Sequence, residues 1–250
     1  MNSKISKILF LLIISISLVL YAADGNKKNQ TGLNKPQGNP VRTFLNINNI
    51  STQIYNDGNS DIDPSGNSGL VFPRGSGKTA VFESGFLWGA KVPGDPQVRV
   101  GGSAYRQGLQ AGKIISPGVA ESPDLPKNRI YRVRPDIYPG GPPVDLGIAP
   151  QEEGLPASAI RAQYEKDWLE WPWQDGAPFD DKNNNGVYDP QIDVPGVKGA
   201  DQTIWFVAND LDPSKTTFLY GAQPLGIEMQ ATIWAYSQSG ALGNMFFRKY

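Results

Sequence analysis

Turn residues cut this chain into short β-prone runs, and that punctuation constrains the fold more than any other feature. Residues 45–47 alternate around Asn46, and the stretch closes at Ile54-Tyr55 before the Asn56-Asp57-Gly58 turn. Residues 79–82 and 85–92 read as a hairpin joined at Glu83-Ser84-Gly85, with Pro93-Gly94-Asp95-Pro96 as the next turn and 97–100 as the next strand. Residues 129–134 form another alternating run. Pro135, Pro139, Pro142 and Pro143 then exclude a central strand. Runs this short, separated by glycine turns, favour antiparallel sheets over β-α-β crossovers. Residues 203–208 and 226–236 complete the strand set. In the second, Ile227, Met229, Ala231, Ile233 and Ala235 share one face, because strand side chains alternate.

One helix breaks the β pattern. Residues 157–168 place Ile160, Tyr164 and Trp168 at four-residue spacing on one face, and Pro172 ends helical structure by Trp171. The expected class is therefore mainly β: an antiparallel β-sandwich-like domain with long Pro/Gly-rich loops and one short helix.

The N-terminus reads as a processing signal. Lys4 and Lys7 precede an apolar run of about thirteen residues, short of the roughly twenty a membrane span needs, and Ala22 and Ala23 offer a small-residue cut. Residues 1–22 are the expected signal peptide, with no membrane insertion after cleavage. Residues 23–42 are a flexible linker of Gly, Asn, Lys, Gln and Pro, unable to bury enough surface to order themselves. Residues 43–250 form the β-rich domain. Phe246 and Phe247 lie in what reads as mid-strand, so the domain is expected to be truncated at its C-terminal end.

Composition removes several chemistries. Losing Lys4 and Lys7 with the leader takes 23 basic residues to 21 against 24 acidic ones, a balance of −3. So small an imbalance gives no electrostatic case for nucleic acid. Cysteine is absent, so no disulfide holds the loops of an exported product. Histidine is absent too, which removes imidazole bases and the usual zinc ligand.

Metal remains as a loop clip. In 181–193, Asp181, Asn183 and Asn185 occupy first, third and fifth positions, followed by Gly186 where a tight loop must turn. Alternating hard oxygens around a glycine turn suit calcium, with the Val187 carbonyl in seventh position and Asp189 in ninth, direct or through water. Asp193 is the closing carboxylate, one residue later than the glutamate of a helix-loop-helix calcium site. Asp180 is a neighbour of the set. Two asparagines lower the ligand charge, which places affinity at about 0.1–1 mM. The same run also reads as a solvated Asx-rich turn.

Two further stretches resemble functional motifs. Gly75-Ser76-Gly77-Lys78-Thr79 imitates the end of a phosphate loop, but Phe72 stands where that loop needs glycine and strands follow. Trp168, Trp171 and Trp173 accompany Glu165, Asp167, Glu170 and Asp175. Such a stretch can contact sugar, or cleave it with two suitably spaced carboxylates. Tryptophans around a helix exit more commonly pack against a sheet. Glu83 and Glu228 read as sheet-face residues.

The series Asp167-Trp168, Trp171-Pro172, Gly176-Ala177-Pro178, 181–193, Pro195-Gly196 and Gly199-Ala200-Asp201-Gln202-Thr203-Ile204-Trp205 continues into Pro224-Leu225-Gly226-Ile227-Glu228 and Thr232-Ile233-Trp234-Ala235-Tyr236. It resembles the N-terminal region of large uncharacterised secreted or surface proteins of Bacteroidetes-related bacteria. The resemblance implies a long multidomain chain, often ending in a type IX secretion sorting domain, and supplies no catalytic residue. The expected function is a noncatalytic structural or adhesive module, secreted or on the cell surface, with a calcium-stabilised loop. Its partners would be downstream domains and a glycan or cell-surface protein. A carbohydrate-binding module and a carboxylate-dependent glycoside hydrolase are the alternatives.

Overall fold

The computed structural model describes residues 41–105 and 107–250. The expected signal peptide and residues 23–40 of the expected linker lie outside the described residues. Strand β1 (Arg42–Leu45) pairs with β2 (Thr52–Tyr55), β3 (Leu70–Val71) with β4 (Thr79–Val81), and β5 (Phe86–Lys91) with β6 (Val98–Ser103). Then come β7 (Gln110–Ala111), the β8 (Ile114–Ser116) and β9 (Val119–Ala120) pair, and β10 (Tyr131–Val133). Helices α1 (Ala149–Glu153) and α2 (Ala157–Leu169) follow. After them come the β11 (Phe179–Asp180) and β12 (Val194–Pro195) pair, β13 (Gln202–Asn209), α3 (Pro213–Tyr220), β14 (Glu228–Ala235) and β15 (Phe246–Lys249). The result is a mixed α/β fold dominated by several small antiparallel sheets and a few short helices.

The main sheet runs β10-β13-β14-β15, and β7 pairs with the far end of β13. Every residue of β13 is buried. Its two faces enter different apolar clusters. Ile204, Phe206 and Ala208 join Met229, Ala231, Ile233 and Ala235 of β14, with Leu45 and Ile54 of the first ladder packed against them. Trp205 and Val207 join Tyr131, Val133, Trp171, Ala177 and Tyr188 on the other face. Alternation fixes this division, since a one-residue slip would exchange the two sets. Truncating fully buried Phe206 to alanine would cost about 3–5 kcal/mol.

Helix α2 buries Ile160, Tyr164 and Trp168, as their four-residue spacing predicts, and ends before Pro172. Its inner face is also polar. Gln202 donates to the Phe44 carbonyl (3.0 Å) and accepts from the Asn46 main-chain N–H (2.9 Å). It also hydrogen-bonds the Tyr164 hydroxyl at 2.8 Å. Arg132 makes two 2.7 Å bonds to the Glu153 carboxylate, and both side chains are buried. Together these bonds attach both helices to the main sheet and to β1.

Three expectations need correction. Helices α1 and α3 add to the one helix expected. Asp212 caps α3 by accepting the Ser214 N–H at 2.9 Å, Pro213 opens it, and Gly221 closes it in the left-handed conformation. The hairpin expected between 79–82 and 85–92 does not form. Leu70 faces Val81, Phe86 faces Ser103, and Ser84 exchanges both backbone bonds with Ser60, at 3.0 and 2.9 Å. Gly85 then passes so close to the Ser103 carbonyl that a Cβ there would lie 1.5 Å from its oxygen. Finally, Ile227 precedes β14 instead of sharing its buried face. The phosphate-loop imitation is a loop leading into β4, with no helix after it.

Candidate metal centre

The 181–193 loop closes on a ladder, not between helices: Asp180 faces Val194 and Phe179 faces Pro195. Inside it, each side chain at an odd position from 181 to 185 accepts a backbone N–H a few residues ahead. Asp181 accepts from Asn185 at 3.2 Å and from Gly186 at 2.7 Å. Asn183 Oδ1 accepts from Asn185 at 3.1 Å, and Asn185 Oδ1 from Val187 at 2.8 Å. The structure thus gathers Asp181, Asn183 and Asn185 on three consecutive N–H groups. Asn184 and Gly186 sit at φ 58° and 74°. A Cβ on Gly186 would meet nothing within 4 Å, so glycine serves the left-handed backbone there, not a tight fit.

Asp193 closes the loop through its own bonds. Only 1% exposed, it accepts from Lys182 N–H at 2.8 Å with one oxygen and from Asp189 N–H at 2.7 Å with the other. One buried carboxylate therefore ties the loop's second residue to its ninth. Asp189 is set apart: its Oδ1 accepts the Gln191 N–H at 2.9 Å. Val187 is half exposed, and the bond fixing it runs through its N–H. Asp180 is engaged elsewhere, in ion pairs with Lys182 and with Lys198, and these ammonium groups hold its carboxyl below the usual range.

These oxygens fit a hard cation by type. A carboxylate offers about four lone-pair directions, and the loop bonds use two on Asp181 and two on Asp193. Among the described residues, no three acidic, histidine or cysteine side chains meet as a metal cluster. The candidate set depends on amide and carbonyl oxygens beside its acids.

An aromatic bed holds the loop from below. Tyr188 is buried, stacks edge-on against Phe179 at 5.5 Å, and donates its hydroxyl to the Trp168 carbonyl at 2.8 Å. Burial pushes that phenol well above its ordinary range. The Trp168 indole donates to the Pro190 carbonyl at 2.9 Å, and that of Trp171 to Pro178 at 2.8 Å. Sequence reasoning missed this clamp, although Tyr188, a bulky aromatic inside a polar loop, was the available signal.

The acids near these tryptophans are all claimed by cations. Glu165 pairs with Arg161, Asp175 with Lys113, and Asp167 and Glu170 with Arg129. Asp167 also accepts the Arg132 main-chain N–H at 3.0 Å and the Gln163 amide at 2.9 Å. Burial raises its pKa to about 6 against the pull of Arg129. Glu228 accepts the Ile114 N–H at 2.8 Å, and Glu83 has one oxygen buried without a partner. Compared with protein-family models, curated proteins and solved structures, the chain matches none. Among the described residues, no helix is long and apolar enough to cross a membrane.

Proposed function

We propose that this chain is a noncatalytic structural or adhesive module of a secreted or cell-surface bacterial protein, with calcium stiffening the 181–193 loop. The observation that carries the reading is the set of bonds from Asp181, Asn183 and Asn185 to the N–H groups of Asn185, Gly186 and Val187. Those bonds shape the loop while leaving acceptor capacity on hard oxygens. Asp181, Asn183 and Asn185, the Val187 carbonyl, Asp189 and Asp193 would hold the ion. At roughly 2 mM calcium and a dissociation constant of about 0.1 mM, binding adds about 1.8 kcal/mol. That orders a loop without making the fold depend on metal.

The leader-like N-terminus supports export. Downstream domains of a longer chain and a surface glycan or protein are the partners such a module would serve. A sandwich-like arrangement belongs to the same reading, supported by the packing of β1 and β2 against one face of the main sheet. Trp171 does not serve sugar contact, because it is buried and its N–H is used internally. Ion pairing of the neighbouring acids argues against a carboxylate hydrolase in that stretch.

Calorimetric titration of calcium and magnesium into the wild type, Asp181→Ala and Lys182→Ala tests the metal. Calcium should bind the wild type and the Lys182 variant alike and the Asp181 variant more weakly, with magnesium much poorer throughout. No heat at about 5 mM calcium, above the weak extracellular range, defeats the assignment.

A further inference from the structure

The Asn185-Gly186 pair in the 181–193 loop is the one place in the sequence where glycine directly follows asparagine. That order has a chemical consequence. The main-chain nitrogen after an asparagine lies within reach of the side-chain amide carbon, and a bond between them closes a five-membered ring. A side chain on the following residue crowds this approach, and glycine carries none. Both residues are exposed, and a Cβ built on Gly186 would meet nothing within 4 Å, so water reaches the pair.

The reaction balances without a cofactor. Gly186 N bonds to Asn185 Cγ and gives its proton to water. The Cγ–Nδ2 bond breaks, and the amide nitrogen takes a proton from water and leaves as ammonia. A further water then opens the cyclic imide. Opening at Cγ leaves aspartate at position 185, and opening at the main-chain carbonyl leaves isoaspartate. One water is consumed and one ammonia is released.

The folded loop restrains this chemistry. The attacking group, the Gly186 N–H, is donated to Asp181 at 2.7 Å. The Asn185 side-chain carbonyl accepts the Val187 N–H at 2.8 Å. The main-chain N–H of Asn185 is shared between Asp181 and Asn183, at 3.2 and 3.1 Å. Gly186 N cannot attack while its N–H stays on Asp181, so the turn must open first. Asn183 and Asn184 are equally exposed, but each precedes a residue that carries a side chain.

We propose that Asn185 is a self-modification site, converted to aspartate or isoaspartate at a rate set by opening of the Asp181–Gly186 bond. The site itself is independent of the metal reading, and its consequence rests on that reading. Aspartate at 185 adds a negative charge to the candidate calcium ligands, and ligand charge is one of the features that tune calcium affinity. Isoaspartate instead inserts a methylene into the main chain and displaces the turn.

The whole protein should be incubated at mildly alkaline pH in calcium, in chelator and in urea, and position 185 followed by peptide mass spectrometry with chromatographic separation of the two products. Conversion should be fastest in urea and slower in the folded protein in chelator. It should be slower again by about 20-fold in roughly 2 mM calcium at a dissociation constant of about 0.1 mM, because the open fraction falls by that factor. Folded Asp181→Ala in chelator should convert about 10-fold faster than wild type, the worth of one lost charged hydrogen bond. In urea, Gly186→Ala should slow the reaction by crowding the attack. Circular dichroism confirms that the Asp181 variant is folded, and the wild-type comparison between urea and chelator decides if it is not. Folded wild type converting as fast as in urea, a slower Asp181→Ala, or equal conversion at Asn183 and Asn184 overturns the proposal. If calcium alone fails to slow the reaction, the modification site stands and the calcium reading of the loop falls. Calorimetry of Asn185→Asp should show tighter calcium binding than wild type, and equal affinity overturns the consequence drawn for the metal.

Discussion

Tyr188 donates its hydroxyl to the carbonyl of Trp168, the penultimate residue of α2, and the Trp168 indole answers with a bond to the Pro190 carbonyl two residues beyond Tyr188. The two side chains thus fasten a polar loop to a helix end.

Removing only the hydroxyl measures that fastening. Tyr188→Phe keeps the ring against Phe179 and leaves the Trp168 carbonyl short of a donor. The expected cost is about 1–2 kcal/mol, read from urea unfolding. An unchanged midpoint would show that the ring, not the bond, holds the loop.

Asp181 and Asp193 should separate by metal dependence. In calcium-free buffer, Asp193→Ala should destabilise by about 2 kcal/mol, because two N–H groups lose a buried charged acceptor. Asp181→Ala should cost less there, its partners lying in an exposed turn, yet lose more of the calcium-induced rise in melting temperature. Thermal melts of both variants with and without calcium check the reversal.

Asp167 gives a pH signature. Burial lifts its folded-state pKa from 3.8 to about 6, so between those values the native state holds a proton that the unfolded chain has released. Its contribution favours the fold at the acidic end and is lost as pH rises through about 6. Wild type should therefore lose stability relative to Asp167→Asn between about pH 4 and pH 6, and the difference should level off above that. A constant difference across the series, measured by urea unfolding, would refute the assignment.

Arg248 should behave as an internal residue despite its place in the last strand. It donates to both oxygens of Asp61, at 2.9 and 2.7 Å, and Asp61 is otherwise held by the Thr52 hydroxyl at 2.6 Å. Arg248→Ala leaves a buried carboxylate without its counter-charge and should cost about 3 kcal/mol. Deleting 244–250 should cost more and raise aggregation, since it also uncovers the edge of β14. Light scattering and denaturant titration distinguish these effects from the loss of an inert tail.

Elements that announce themselves by local periodicity were legible in the sequence. Ile160, Tyr164 and Trp168 marked α2, and the alternation of Met229, Ala231, Ile233 and Ala235 marked β14. Pairings decided by distant segments were not. Nothing near Glu83 revealed that Ser84 would bond Ser60, whereas Pro93-Gly94-Asp95-Pro96 marked the turn that carries β5 into β6. Helix α3 carried its caps, Asp212 and Gly221, but no apolar repeat. The spacing of Asp181, Asn183 and Asn185 could be read directly, because one short segment contains it. The clamp joins residues twenty apart, so it emerges only from packing.

The clamp has one consequence beyond the loop. Trp168 follows Asp167, so a single helical turn holds both the loop's fastening and the carboxylate that faces buried Arg129. The loop cannot swing open without straining the helix end that keeps this charge pair dry. Fraying at the surface is therefore coupled to the interior, and hydrogen exchange at Lys182 and Asp189, whose N–H groups bond buried Asp193, should slow toward the rate of global opening. This polar loop would then melt with the core as one cooperative unit.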